Sequence, residues 1–369
     1  MTNNNLSFFD RLNSWLRNSI TVHLLSVGIL ILILLIPASM IQDLIREREY
    51  RMQDAINEVS SKWGGQQTVA GPILTVPYYK YSKDNYDRLV KTIDYAHFLP
   101  EEINIEGSIA PEMRYRGIYE VVVYSSVMNV KGKFKKPDFS EWSTSENDIV
   151  WKDAFLSLGI SDMRGIKENV LIKWNENSIA LNPGIETKDV LESGLSARIP
   201  FDPADSISSV FDFSFNLNLN GSKLLNFVPV GKENNIKISS SWASPSFDGS
   251  FLPDERNITE SGFDAKWKVL HLNRNYPQQW KGNAQRILDS EFGVTLLLPV
   301  DEYQKTTRSA KYAIMFIALT FLIFFFVEIL NKKRIHPVQY LVSPQKVKFT
   351  ILSIADSVEG TPKKEKPSI

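Results

Sequence analysis

Val210–Ser222 reads Val-Phe-Asp-Phe-Ser-Phe-Asn-Leu-Asn-Leu-Asn-Gly-Ser. Side chains alternate across an extended strand, so Phe211, Phe213, Phe215, Leu217 and Leu219 face one way and Val210, Asp212, Ser214, Asn216 and Asn218 the other. The first face is suited to a core and the second to water. Short runs rich in Val, Ile, Phe and Tyr, bounded by Gly, Pro, Asn and Asp, recur at Ile73–Tyr81, Ile118–Val130, Val170–Trp174, Ile236–Trp242, Phe263–Leu272 and Phe292–Val300. Together they predict an all-β domain over residues 65–307, sandwich-like, multi-stranded and antiparallel. No repeat of fixed period marks a propeller or solenoid.

Two apolar stretches flank this region, Val22–Ile41 and Ala310–Leu330. Each has the roughly 20 residues with which an α-helix crosses about 30 Å of hydrocarbon. They predict two transmembrane α-helices, 22–41 and 310–331, with the lipid bilayer as partner and the segments 1–21 and 332–369 on one side of it. A cleaved signal peptide fits the first stretch less well, because the run is too long and Gln42-Asp43-Leu44-Ile45-Arg46 is no small-residue cleavage site. Arg11 and Arg17 before the first stretch balance Arg46, Arg48 and Arg51 after it, whereas Lys332-Lys333-Arg334 favours cytoplasmic tails. Pro37 is tolerated in such a helix.

Between 42 and 64, Ile45, Met52, Ile56, Val59 and Trp63 recur at helical steps, with Arg46, Arg48, Glu49, Arg51, Asp54 and Glu58 on the rest of the surface. This predicts a juxtamembrane helical stalk ended by Gly64-Gly65. It either packs on its own domain or serves as a dimerisation or sensor-like helix.

Lys plus Arg and Asp plus Glu number 42 each, so there is no global basic footprint for nucleic acid. The absence of cysteine removes disulfides, thiol nucleophiles and Cys-ligated zinc. His23, His97, His271 and His336 share no metal-ligand spacing, and no nucleophile elbow, phosphate-binding loop or His-Glu-x-x-His is present. Neither a cofactor nor a metal is expected. Asp94 and His97 could act as base and orienter for a remote serine, but a half-buried strand histidine is the simpler reading. An enzyme would need a cleft bringing His97 or His271 within reach of an acid and a hydroxyl.

Other residues invite attention. Asp162 and Arg164 can pair across a turn, a contact usually worth about 0 to 1 kcal/mol at a surface. Trp242, Trp267 and Trp280, with Phe247 and Phe251, suit core packing or the binding of a sugar or peptide. Glu328 is an acid inside the second apolar stretch, one turn from Lys332, and reads as an interfacial pair or a relay.

The run Leu34–Pro77 resembles the start of the CreD-like inner membrane proteins, with Gly71, Pro72, Leu74 and Pro77 forming its Gly-Pro-x-Leu-x-x-Pro motif. Further matches are Ser161-Asp162-Met163-Arg164-Gly165, then Trp242 through Gly249 with Pro245 and Phe247 inside it, Phe251-Leu252-Pro253, Ser261-Gly262-Phe263 with Trp267, Asp301–Gln304, Ala310–Ala313, and His336 through Leu341. The resemblance implies an inner membrane protein with a periplasmic β domain, linked to the cell envelope, a two-component regulon and colicin tolerance, and brings no active site with it. The family pattern continues into further membrane helices after Leu341, whereas this chain runs on as a polar tail. That departure is expected from a shortened version or from a frameshift or early stop.

The expected function is therefore a non-enzymatic envelope protein acting in envelope integrity or stress response through its β domain. The alternative is a periplasmic ligand-binding sensor module, and an unrecognised hydrolase is the third reading. Other envelope proteins, or self-association through the stalk, are the expected protein partners.

Overall fold

The computed structural model describes residues 20–84, 86–142, 144–201 and 210–298, with isolated helical positions between 312 and 326. One helix, α1 (Ile20–Trp63), precedes the strands. These are β1 (Gln67–Lys83), β2 (Leu89–Phe98), β3 (Glu102–Arg116), β4 (Tyr119–Lys135), β5 (Phe155–Ile160), β6 (Leu171–Trp174), β7 (Asn177–Ala180), β8 (Asn182–Pro183) and β9 (Gly194–Arg198). They continue with β10 (Val210–Ser222), β11 (Leu224–Val228), β12 (Glu233–Ser240), β13 (Pro245–Gly249), β14 (Glu255–Thr259), β15 (Gly262–Leu270), β16 (Gln279–Lys281) and β17 (Phe292–Leu296). All strands, with the end of α1 from Asp54 onward, lie in the compact unit Asp54–Pro299, and the described residues before Asp54 and after Pro299 belong to a second unit.

The strands form two sheets. One runs β13-β17-β11-β1-β5-β9-β8 with β2 on β1 and β16 on β2; the other runs β14-β15-β12-β3-β4-β10-β6-β7. Pairing is mostly antiparallel, as the alternation predicts, but β1 runs parallel to β11 and β3 parallel to β12. A single apolar core takes side chains from both sheets. The rings of Phe247 and Phe263 meet across it at 5.6 Å, as do those of Trp267 and Phe292 at 5.9 Å. The domain is a sandwich because each sheet must bury one face against the other.

The β10 alternation is realised residue by residue. Phe211, Phe213, Phe215, Leu217 and Leu219 are buried, while Val210, Asp212 and Asn216 are exposed. At roughly 2 kcal/mol per buried side chain, this one face contributes about as much as the net stability of a typical domain. The chain then changes sheet at Lys223, whose φ of 64° makes the corner between β10 and β11. Beneath it, Tyr124 of β4 donates from its hydroxyl to Leu224 O at 2.7 Å, tying the two sheets together.

The expectation of two transmembrane helices is corrected. Among the described residues, no helix is long and apolar enough to cross a membrane. The run Val22–Ile41 and the helical stalk expected at 42–64 lie in one 44-residue helix, α1, whose later part carries Arg46, Glu47, Arg48, Glu49, Arg51, Asp54 and Glu58. The second run, 310–331, lies for the most part outside the described residues. With the spanning helices go the bilayer as partner and the inner-membrane placement with both termini cytoplasmic.

Candidate functional site

The sequence motifs converge where α1 meets the sandwich. The helix ends at Trp63 because Gly64, at φ 146°, turns the chain, and a Cβ there would stand 2.6 Å from Asn220 O. The Gly65 N–H then donates to Asp162 Oδ2 at 2.7 Å. Arg164 holds the same carboxylate with two prongs, Nε to Oδ1 at 2.9 Å and Nη2 to Oδ2 at 2.8 Å. Its remaining prong, Nη1, donates to Ser61 O at 2.7 Å, satisfying a carbonyl that the helix end leaves open.

Gln67, at the start of β1, completes the junction. Its amide donates to Asp162 O at 3.0 Å and Asn220 O at 2.9 Å, and its oxygen accepts from the Asp162 N–H at 3.2 Å. The Trp63 indole donates to Tyr124 O at 3.0 Å and lies under the Arg114 guanidinium, 4.8 Å from the ring centre. Arg116 reaches Glu58 at 2.8 Å. The helix end is thus bonded directly to β3 and β4 of one sheet, and through Asp162 to Gln67 at the start of β1 in the other.

The Arg164 guanidinium beside Asp162 holds its carboxyl below the usual carboxylate range, the Gly65 N–H helping and burial opposing. A depressed folded value stabilises above the unfolded pKa near 3.9, and that contribution disappears as pH falls through the folded value. Arg164 itself is 61% exposed, so much of the Coulombic part is screened. The backbone bonds of Asp162 matter more. Asp162→Ala should cost about 1 to 3 kcal/mol in urea denaturation by stranding the Gly65 and Arg164 donors.

A second feature lies at the far end of β1. Tyr78, Tyr81, Asp94, Asp148, Asp189 and Lys281 line a cleft of about 740 Å³. Tyr78 donates to Asp94 Oδ2 at 3.0 Å and Tyr81 to Asp148 Oδ1 at 3.0 Å. Burial pushes the Tyr78 hydroxyl up, and Asp94 adds to the shift. Burial also raises the Asp94 carboxyl, but the bonds from Tyr78, the Tyr95 N–H and Lys80 prevail and leave it below its usual range. Lys281 lies 4.5 Å from the Tyr78 ring centre and 5.0 Å from that of Trp142, and donates to Thr144 at 2.6 Å. Burial lowers its pKa.

Behind the cleft, His97 meets both a hydroxyl and an acid. Nδ1 is 3.0 Å from Thr75 Oγ1, and Nε2 is 3.4 Å from Asp189 Oδ2, close enough for charge but misaligned for a hydrogen bond. The trio meets the condition set for a hydrolase in composition and fails it in access. Thr75 and His97 are each 1% exposed, so no substrate reaches the hydroxyl. Burial pushes the His97 pKa down against the charges of Asp189 and Asp94. The unfolded chain therefore binds the proton more readily below about pH 6.5, and stability falls as pH drops from there toward the folded value. The expected slope is up to about 1.4 kcal/mol per pH unit, and His97→Gln should flatten it in urea melts between pH 7 and 5.

The remaining motif residues are dispersed. Gly71 and Pro72 form a bulge in β1, where the pairing with β5 shifts between Ala70 and Ile73. Gly71 has φ 119°, and a Cβ there would lie 2.8 Å from Ser157 O. Pro77 accepts from the Val150 N–H at 2.9 Å. Pro245, Phe247 and Gly249 belong to edge strand β13, with Gly249 at φ 97°. Trp267 is buried, Phe247 packs on it at 5.7 Å, and the Trp242 indole donates to Leu297 O at 2.9 Å. Trp280 packs on His97 at 5.5 Å. These rings serve the core. Glu328 and His336 lie outside the described residues.

The chain matches the family model described as "Inner membrane protein CreD" over residues 19–355. It is 33% identical over 334 residues to "Inner membrane protein CreD" of Escherichia coli (strain K12), a match covering 88% of this chain and 72% of that protein. The chain belongs to the CreD family. CreD membership supports a non-enzymatic cell-envelope protein, here built on a large β domain. Within this CreD chain, Asp162, Arg164 and Gly165 are the motif residues drawn together at the junction, along with Gln67, Asn220 and Tyr124, which carry no motif signal.

Proposed function

We propose that this CreD-family chain is a ligand-sensing module of the cell envelope, with the β domain periplasmic, the cleft as its input and the end of α1 as its output. The observation that carries this reading is the junction. Asp162, Arg164 and Gln67 bind the last turn of α1 and the first residue of β1 in one hydrogen-bonded cluster, so a shift of β1 must be met by the helix end. β1 runs from that cluster to Tyr78 and Tyr81 of the cleft, about 40 Å at ~3.3 Å per residue. β1 is paired on both sides of the Gly71-Pro72 bulge, to β11 and β5 before it and to β5 and β2 after it, and a paired strand is an element of the kind that carries coupling between separated sites.

Hydrogen exchange on the full chain tests the connection. In Arg164→Gln, the amides of Ser60–Gly65 should exchange at least about fivefold faster, the effect of losing roughly 1 kcal/mol of local bonding, while those of β4 and β10 stay protected. Unchanged protection at Ser60–Gly65 would mean that the clamp does not hold the helix, and the proposal would fall.

A further inference from the structure

The cleft holds charges of both signs that the protein leaves unpaired. Lys80 is 3.5 Å from Asp94, but Lys281 has no carboxylate partner among the described residues, resting on the Tyr78 and Trp142 rings and on Thr144. Asp148 and Asp189 likewise have no Lys or Arg partner there. Asp148 accepts one bond, from Tyr81, and a single donor leaves most of a carboxylate's accepting capacity open. Behind Asp189, the Nε2 of His97 is sealed from water, has no hydrogen-bond partner, and is directed to within 3.4 Å of the cleft carboxylate. Partly desolvated charges left unpaired within one cavity are costly, and a ligand that pairs them recovers that cost.

We propose that the cleft binds a small zwitterion, an amino acid or short peptide whose free carboxylate meets Lys281 and whose free ammonium meets Asp148 and Asp189. This rests on the sensor reading and adds the ligand's chemistry to it. The volume of about 740 Å³ accommodates several residues. Both termini contribute, so blocking either one removes a charge-assisted contact.

Isothermal titration of the full chain with trialanine, N-acetyl-trialanine and trialanine amide tests the assignment. Free trialanine should bind, and each capped form should bind at least tenfold more weakly. Lys281→Gln should lower affinity for trialanine to that for its amide while leaving the amide's affinity unchanged. Asp148→Asn should act in the same way toward the acetylated form. The melting temperature of each variant establishes that it folds. Equal affinity for all three peptides, or no binding of trialanine, would overturn the proposal. Binding of spermidine or glucosamine instead, abolished by Asp148→Asn, would also overturn it while leaving the sensor reading intact, since that reading stands or falls on exchange at the helix junction.

Discussion

Gly165→Ala will destabilise the β unit by about 3 kcal/mol or more, although it adds one methyl group. A Cβ at Gly165 would lie 2.2 Å from Asn220 O and 2.4 Å from Gln67 Nε2, inside both contact distances. Relief requires moving the β10 backbone or breaking the Gln67 bonds that close the junction, and overpacking of this kind costs about 1 to 3 kcal/mol before any hydrogen bond is lost. Gly117→Ala is the control. Nothing lies within 4 Å of its Cβ position, so only its left-handed backbone, φ 62°, is penalised, at about 1 to 2 kcal/mol. Urea midpoints of the two variants separate crowding from conformational strain.

The second large effect is Phe213→Ala, with an expected loss of about 3 to 5 kcal/mol. Phe213 is 3% exposed, packs on Phe134 at 5.3 Å, and closes over Gly132, where a Cβ would touch its ring. Its neighbour Asp212 points to solvent, and Asp212→Ala should fall within about 0.5 kcal/mol of wild type. The pair measures the alternation of β10 directly. Similar losses at both positions would show that the strand is not one-sided.

The same alternation explains what was legible in the sequence. In β10, polar and apolar residues trade places without interruption, because one face meets the opposite sheet and the other meets water. β2 and β3 were harder to read. The outer half of β2, from Leu89 to Ile93, is exposed on both faces, so apolar residues there follow no burial pattern. β3 contains Gly107 and Pro111, which read as punctuation in isolation but sit within a long pairing with β4. The parallel pairs β1–β11 and β3–β12 join segments far apart in the chain, and no local pattern encodes such pairing.

The ends of the domain taught the opposite lesson. The apolar length of Val22–Ile41 suggested a membrane span, yet among the described residues no helix is long and apolar enough to cross a membrane, while the helical steps from Ile45 to Trp63 did read as helix and α1 runs on through them. Apolar run length gives the residues a helix can contain, not where it stops. Gly64 set that limit, and the Gly64-Gly65 signal was visible.

At the candidate site, legibility followed sequence distance. The Asp162–Arg164 pair spans two residues and was visible, but it read as a surface pair of small consequence. Its structural role comes from Gly65, 97 residues away, and through Gln67 from Asn220, 153 residues from Gln67. The cleft draws Tyr78, Asp94, Asp148, Asp189 and Lys281 from separate segments, and only Asp94, beside His97, had any chemical signal. His97 did meet an acid and a hydroxyl, but a sequence does not report that Thr75 is sealed from solvent.

The most direct test of the account reads the junction while altering the cleft. In the full chain carrying Asp94→Asn, hydrogen exchange should change around Tyr78 and Asp94 and also, by at least about fivefold, at Ser60–Gly65, the lower range of ordinary coupling between distant sites. Exchange at Ser60–Gly65 that stays within about twofold of wild type, while the cleft amides change, would contradict transmission along β1 and leave the junction as a structural fastening alone.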